Sequence, residues 1–145
     1  MLPQITLRYT KSKTTKTEPM TNPEMVANHA RTILSKAGTL AYQEEVLMFC
    51  LNGNNEIFGW VKISSGGFNF SAIDPRIVFS IALTATANTI ILVHNHPSGS
   101  LLSSKEDQSI CDKLKQAGEL LNLQLLDFLI VTETSYISYK EQGKL

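Results

Sequence analysis

The stretch IILVHNHPSG, residues 90–99, decides the fold, and SSKED follows it at residues 103–107. Its first four residues are apolar and mostly β-branched, which predicts a buried strand. The strand ends in His94 and His96, and because side chains alternate along a strand, both imidazoles project to the same face. Pro97 stops the strand, and a turn then leads to a helix whose start is predicted inside residues 103–107.

The carboxylate of Asp107 is predicted to face the two imidazoles. The apolar face of the new helix consists of Ile110, Leu114, Ala117 and Leu121. Asp107 lies one helical turn before this face and points inward with it, where an unpaired charge is costly. Two imidazoles and one carboxylate form the set that commonly holds a catalytic zinc ion with a fourth position open. The structural alternative is that Ser104 and Asp107 only cap the helix.

Composition indicates one globular domain without a strong electrostatic field. The chain has 145 residues, of which 43% are hydrophobic and 18% charged, and its formal net charge is zero. Zero net charge gives no general attraction for nucleic acid or an anionic membrane. No run approaches the ~18 apolar residues of a membrane span, and no secretory signal is recognisable, so a cytoplasmic location without membrane association is predicted.

The two cysteines fit the same compartment. Cys50 and Cys111 lie in apolar contexts on a predicted strand and a predicted helix. Buried free thiols of a reducing compartment are the favoured interpretation, with a disulfide left open.

The chain divides into a tail and a folded part. Residues 1–18 mix basic residues with threonines and predict a flexible tail that adds little to stability, while residues 19–145 form the domain. A nucleic-acid arm, or a short strand over residues 5–7, is the alternative for the tail.

Turn and cap signals divide the domain into alternating helices and strands. Asn22-Pro23 and Asp74-Pro75 are helix starts with proline at the first helical position. The first helix is predicted to bury Met25, Ala30, Ile33 and Ala37, and the second to be buried on most sides. Predicted strands cover residues 46–51, 57–64, 68–72, 89–96, 124–131 and 136–139, and predicted helices cover 22–36, 75–87 and about 104–121. This order predicts an α/β domain around a mixed sheet.

The motif as a whole resembles that of a known family. His94-x-His96-Pro97, six further residues, and Ser104-x-x-Asp107 resemble the signature of the JAMM (JAB/MPN) metalloproteases. The sequence HNHPSG is similar to that of the RadC branch of this family, and the resemblance extends over residues 44–145. It implies a JAB/MPN-type mixed β-sheet flanked by helices, layered as in the cytidine deaminases. Full-length RadC proteins also carry a helix-hairpin-helix region that this sequence does not show, so the DNA-repair role is not carried over.

The resemblance implies a zinc-dependent peptidase or isopeptidase acting on a peptide or protein. In it His94, His96 and Asp107 bind Zn²⁺, and a water in the fourth position attacks the amide carbonyl. Ser104 hydrogen-bonds that water or the tetrahedral oxyanion.

A glutamate before an early strand is the general base in this family, and the sequence offers Glu44 and Glu45. We predict Glu45, because it directly precedes the strand; Glu44 would then point to the opposite face. The structural alternative places both acids in solvent.

Other functions stay open on sequence grounds. They are a nucleic-acid-associated accessory domain, with weak DNA association, a non-catalytic MPN scaffold, and an amidase for non-peptide substrates. An exposed edge strand over residues 68–72 would also allow a homodimer.

Overall fold

The computed structural model describes residues 1–6, 8–11, 13, 16–66 and 73–145. Its helices are α1 (Pro23–Ala37), α2 (Pro75–Thr84) and α3 (Lys105–Leu121). Its strands are β1 (Glu18–Pro19), β2 (Glu45–Leu51), β3 (Glu56–Ser65), β4 (Thr89–Asn95), β5 (Gln124–Val131) and β6 (Tyr136–Ser138). The described residues therefore form the α/β domain that the sequence predicted.

All the described strands join one mixed sheet. Their order is β1-β3-β2-β4-β5-β6, in which β4 and β5 are parallel and the other neighbours antiparallel. The strand β4, which carries the histidines, lies between β2 and β5. Every residue of β2 is buried, as is every residue of β4 after Thr89. The histidine stretch is therefore held by hydrogen-bonded strands on both sides.

Helices cover both faces of this sheet. On one face, α1 packs with Leu47, Phe49 and Val93 into one core cluster. On the other face, α2 and α3 pack with Met48 and Leu92 into a second cluster. The sheet is thus the middle layer, as the resemblance implied.

The predicted helix starts are confirmed. Asn22 caps α1 by accepting a hydrogen bond from the Met25 amide at 2.9 Å, and Pro23 is the first helical residue. Asp74 caps α2 by accepting from the Arg76 amide at 2.9 Å. Such caps satisfy backbone N–H groups that have no partner inside the helix.

The predicted buried faces of the helices are correct only in part. The buried residues of α1 are Val26, Ala27, Ala30 and Leu34, and those of α3 are Asp107, Cys111, Leu114 and Gly118. Of the predicted sets, only Ala30 and Leu114 belong to these buried groups, although Asp107 does face inward as expected. The prediction for α2 is wrong on one side, because Ile77 and Leu83 are about half exposed.

Three further predictions concern the chain outside the sheet centre. The strand expected over residues 68–72, and the homodimer contact based on it, lie outside the described residues. No strand or helix is formed by the described residues before Glu18, where β1 begins and pairs with β3. Among the described residues, no helix has both the length and the apolar character needed to cross a bilayer.

The two cysteines are buried and free, as predicted. Burial raises the pKa of the Cys50 thiol to about 11 and that of Cys111 to about 12. Both therefore stay protonated and unreactive at neutral pH.

Candidate metal centre

The end of β4 brings the two histidines together on one face. His94 lies opposite Val46 of β2, on the face that α2 and α3 cover. The ring centroids of His94 and His96 are 4.9 Å apart, with the ring planes almost perpendicular. This is the shared face that strand alternation predicted.

His96 is oriented by the turn that follows it. Gly99 has a φ of 82°, in the left-handed region that glycine adopts at least cost, and its amide donates to the His96 carbonyl at 3.1 Å. The turn places the Ser100 carbonyl 2.9 Å from Nδ1 of His96. Nδ1 must carry the proton to donate this bond, which leaves the lone pair on Nε2 free for a metal ion.

Asp107 reaches both imidazoles from the first turn of α3. Its Oδ1 lies 3.0 Å from Nδ1 of His94, and its Oδ2 lies 3.5 Å from Nε2 of His96. Burial by itself would raise the pKa of Asp107, but hydrogen bonds to His94, His96 and the Ser104 amide outweigh it and hold that pKa far below its usual range. The pKa of His96 is lowered by burial but raised more by Asp107 and the Ser100 carbonyl, so it lies above its ordinary value.

The fourth member of the cluster is Glu44. Its Oε2 lies 3.5 Å from Nε2 of His94, and the side chains are about nine-tenths buried or more. Neither of these two atoms has a hydrogen-bond partner within the part of the chain that the structure describes. When Nδ1 of His94 donates to Asp107, the Nε2 lone pair faces a carboxylate oxygen at 3.5 Å. Two buried acceptors face to face are costly unless a cation lies between them.

The donor set fits a metal ion. Three residues, Glu44, His94 and His96, each offer one donor atom, and these three atoms lie within 4.8 Å of one another. Asp107 contacts both imidazoles of this set. Imidazole nitrogens and carboxylate oxygens are zinc ligands, and three of them with an open position make a catalytic site.

Glu45 is turned away from the histidines, which reverses the orientation that we predicted for the two acids. Its Oε2 lies 3.0 Å from Nζ of Lys62, on the face that α1 covers. Glu44 and Glu45 do lie on opposite faces, as alternation requires, but Glu44 is the residue that faces the site. The physical reason is register, because Val46 pairs with His94 and places Glu44 on the histidine side.

Ser104 forms the helix cap that the structural alternative expected. Its Oγ accepts from the Asp107 amide at 3.0 Å, while its own amide donates to Oδ2 of Asp107 at 2.9 Å. This capping box fixes the Asp107 carboxylate at the start of α3. Its hydroxyl proton is not used in the box, and the catalytic role assigned to Ser104 stays a prediction.

Sequence reasoning missed one residue at the site. Asn95 is fully buried between the two histidines in sequence, and its side chain bonds to the chain around Glu44. Alternation along β4 could have shown that it faces away from the imidazoles, but its partners come from a loop whose path the sequence does not reveal.

A mixed sheet between helices, with two histidines and two carboxylates at the end of a central strand, defines a candidate metal-dependent domain. Comparison with protein families places the chain in one of them. The model of the RadC-like JAB domain matches residues 20–144. The chain belongs to this family.

Similar chains come from several bacteria and are called UPF0758 proteins. The chain is 42% identical over 106 residues to the one from Flavobacterium johnsoniae, covering 73% of this chain and 46% of that protein. It is 43% identical over 103 residues to the one from Thermotoga maritima, covering 71% and 46%. The relative from Staphylococcus haemolyticus is 40% identical over 124 residues, covering 86% and 53%. The chain thus spans about half the length of these curated relatives.

Proposed function

We propose that this domain is a zinc-dependent hydrolase of amide bonds in a peptide or protein. The observation that carries the proposal is the buried pair formed by Oε2 of Glu44 and Nε2 of His94, which have no hydrogen-bond partner among the described residues. A cation held by Nε2 of His94 would neutralise the Glu44 carboxylate from beside it, without Glu44 being a ligand. Family membership supports the same site, because the motif that resembles the JAMM signature supplies three of its four members.

Three side chains are proposed to hold the ion. His94 and His96 offer imidazole nitrogens, and Asp107 offers a carboxylate whose depressed pKa keeps it ionised at any working pH. A zinc ion held by them would supply Lewis-acid activation of a water and of the substrate carbonyl. The hydrogen bond from Nδ1 of His96 to the Ser100 carbonyl keeps that ring in one tautomer.

Glu44 is proposed as the general base, in place of Glu45. It is the glutamate that faces the histidines, and its Oε2 carries no hydrogen bond that would occupy it. In this role it takes a proton from the attacking water and returns it to the leaving amine. Glu45, 1% exposed and paired with Lys62, is proposed to be structural.

Ser104 is proposed to donate its hydroxyl proton to the developing oxyanion. Its Oγ is held in place because it accepts a hydrogen bond from the Asp107 amide. The hydroxyl proton stays available, so Ser104 can donate it with little loss of conformational entropy. A cytoplasmic location remains part of the proposal, supported by the two buried free thiols.

The test is a cleavage screen with controlled metal content. The protein is stripped with a chelator, reloaded with zinc, and offered peptide libraries, isopeptide-linked substrates and small amides. The proposal expects cleavage by the reloaded protein only. If the zinc-loaded protein cleaves no amide of any kind, an accessory or scaffold domain becomes the better account.

A further inference from the structure

We propose that Asn95, the residue between the two histidines, is the positioning residue that holds Glu44 against the metal centre. The inference rests on the proposed function, because it concerns how that site is assembled. It assigns a role to the middle residue of the HNH sequence, whose side chain lies on the opposite face from the imidazoles.

The Asn95 side chain uses all its hydrogen-bonding groups on one short segment. Its Oδ1 accepts from the Glu45 amide at 2.6 Å. Its Nδ2 donates to the Leu40 carbonyl at 3.0 Å and to the Gln43 carbonyl at 2.9 Å. Two carbonyl partners and one amide partner also fix which end of the carboxamide is oxygen.

These partners bracket Glu44 in the chain. The amide of the residue after Glu44 and the carbonyl of the residue before it are both bound by Asn95. The segment from 38 to 44 joins α1 to β2 and forms no regular strand or helix. Asn95 is 0% exposed, its bond to the Glu45 amide is buried, and its bonds to the two carbonyls are partly buried. Losing the buried bond leaves the Glu45 amide unsatisfied.

The Asn95 hydrogen bonds connect the histidine strand to Glu44, which lies before the paired residues of β2. The histidines are fixed by β4, whereas Glu44 lies just before β2 begins. The carbonyl of Glu44 accepts from the Gly66 amide at 2.8 Å, so β3 holds its backbone on one side and Asn95 holds it on the other. With both in place the carboxylate can face Nε2 of His94, and without Asn95 the backbone on either side of Glu44 loses its side-chain tie to β4.

The chemistry of asparagine suits this position better than related side chains. Aspartate would keep the acceptor for the Glu45 amide but would put a buried anion against two carbonyl oxygens. Leucine keeps the volume and removes every bond. Asn95→Leu therefore tests the hydrogen bonds without opening a cavity, and Asn54→Leu, an exposed asparagine in the β2–β3 turn, is the matched control.

The first measurement is amide hydrogen exchange of Glu45 by NMR, which needs neither metal nor substrate. Asn95→Leu should speed exchange of the Glu45 amide by roughly tenfold or more, because that amide loses its acceptor. The Met48 amide in the middle of β2 should change far less, and Asn54→Leu should change neither. Unchanged exchange at Glu45 would overturn the inference, whether or not the protein binds zinc.

The second measurement is a double-mutant cycle on zinc affinity, by competition with a chromophoric chelator. Asn95→Leu should weaken zinc binding roughly 10–100-fold, the range typical of residues that orient the metal site from outside. In the Glu44→Gln background the same substitution should have almost no effect on zinc affinity. Asn95 is proposed to act on the metal only by positioning the Glu44 carboxylate, which that background lacks. A carboxylate beside a dication favours its binding whether or not it bonds to it, so Glu44→Gln alone should also weaken zinc.

The cycle separates positioning from a general effect on the fold. If Asn95→Leu weakens zinc equally in both backgrounds, it acts through the histidines or the whole fold, and the inference is wrong. Should Asn95→Leu fail to fold, Asn95→Ser is taken through both measurements with the same criteria. Failure of the proposed function is a different result, namely a zinc-loaded wild type without hydrolytic activity, and it leaves the exchange measurement at Glu45 intact.

Discussion

Two buried carboxylate clusters in this molecule look alike by burial and differ in how their polar atoms are satisfied. In the candidate metal centre, formed by Glu44, His94, His96 and Asp107, one glutamate oxygen and one imidazole nitrogen have no hydrogen-bond partner among the described residues. In the Asp127 cluster, the carboxylate accepts from the Phe128 amide at 2.7 Å, from the Lys140 amide at 3.1 Å and from the Ser138 hydroxyl.

The comparison shows that burial of an acid does not mark a functional site. Asp127 is 1% exposed, less than Asp107 at 6%, and burial raises the pKa of Asp127 despite its neutral donors. Its bonds tie β5 to the end of β6 and the turn beyond, which is a structural task. What sets the candidate metal centre apart is that two buried polar atoms, Oε2 of Glu44 and Nε2 of His94, face each other at 3.5 Å, an arrangement that fits a cation.

The largest expected difference between the clusters is in metal binding. Asp107→Asn should leave almost no zinc on the protein after dialysis, because the charged donor between the imidazoles is lost. Asp127→Asn should keep zinc at the wild-type level. Metal analysis of both variants beside wild type decides the matter, and equal zinc loss in the two would remove the distinction between the clusters.

The next difference separates the adjacent acids at the entry to β2. Glu44→Gln should reduce amide hydrolysis by about 10²–10⁴-fold, the usual effect of removing a general base. Glu45→Gln should stay near wild type, because Glu45 faces Lys62 on the other side of the sheet. The rates are compared at saturating zinc. A larger loss of activity in Glu45→Gln than in Glu44→Gln would mean that Glu45 is the acid that faces the site in the active protein.

The Asp127 cluster should show its effect in stability instead. Asp127→Ala leaves three donors without an acceptor and should lower the free energy of unfolding by about 2–3 kcal/mol. Asp127→Asn should cost less, about 1 kcal/mol, because an amide oxygen can still accept from the two backbone amides. Urea unfolding of the metal-free proteins measures both, and identical losses would mean that these bonds contribute little.

The smallest effect is in the pH dependence of stability. In the metal-free protein the pKa of His96 lies above its ordinary value of about 6.5. The stability from this shift is complete below the ordinary pKa and is lost as the pH rises through the folded pKa. Asp107, whose pKa is depressed, loses its contribution only at very low pH.

Thermal unfolding should therefore show the metal-free protein losing stability as the pH rises above about 6.5, the ordinary pKa of histidine. Zinc should reverse the trend, because zinc binds neutral imidazole and competes with protons. A metal-free melting temperature that rises over this range would contradict the assigned interaction between His96 and Asp107.

The sequence predicted the elements that have a clear start and stop. The bounds of β5 agree residue for residue with the prediction, and α1 begins at Pro23 as its cap signal indicated. The predicted face of α1 was correct only in part, because two apolar stripes compete on that helix. Packing against the sheet selects Val26 and Leu34 over Met25 and Ile33.

The site was predictable as far as its members share one local motif. His94, His96 and Asp107 converge as expected, because strand alternation and a helix start are local properties. The orientation of Glu44 and Glu45 depends on pairing with β4, which is not local. Every residue of β2 is buried, so hydrophobic alternation gives no sign of which face is which.

Zinc titration of the stripped wild-type protein, with His96→Ala as control, tests the central claim most directly. Isothermal calorimetry should show about one zinc ion bound per chain, with proton release only from the fraction of His96 that is doubly protonated. The His96→Ala protein should bind weakly or not at all. A wild type that takes up no zinc, or a variant that binds it equally well, would contradict the metal centre described here.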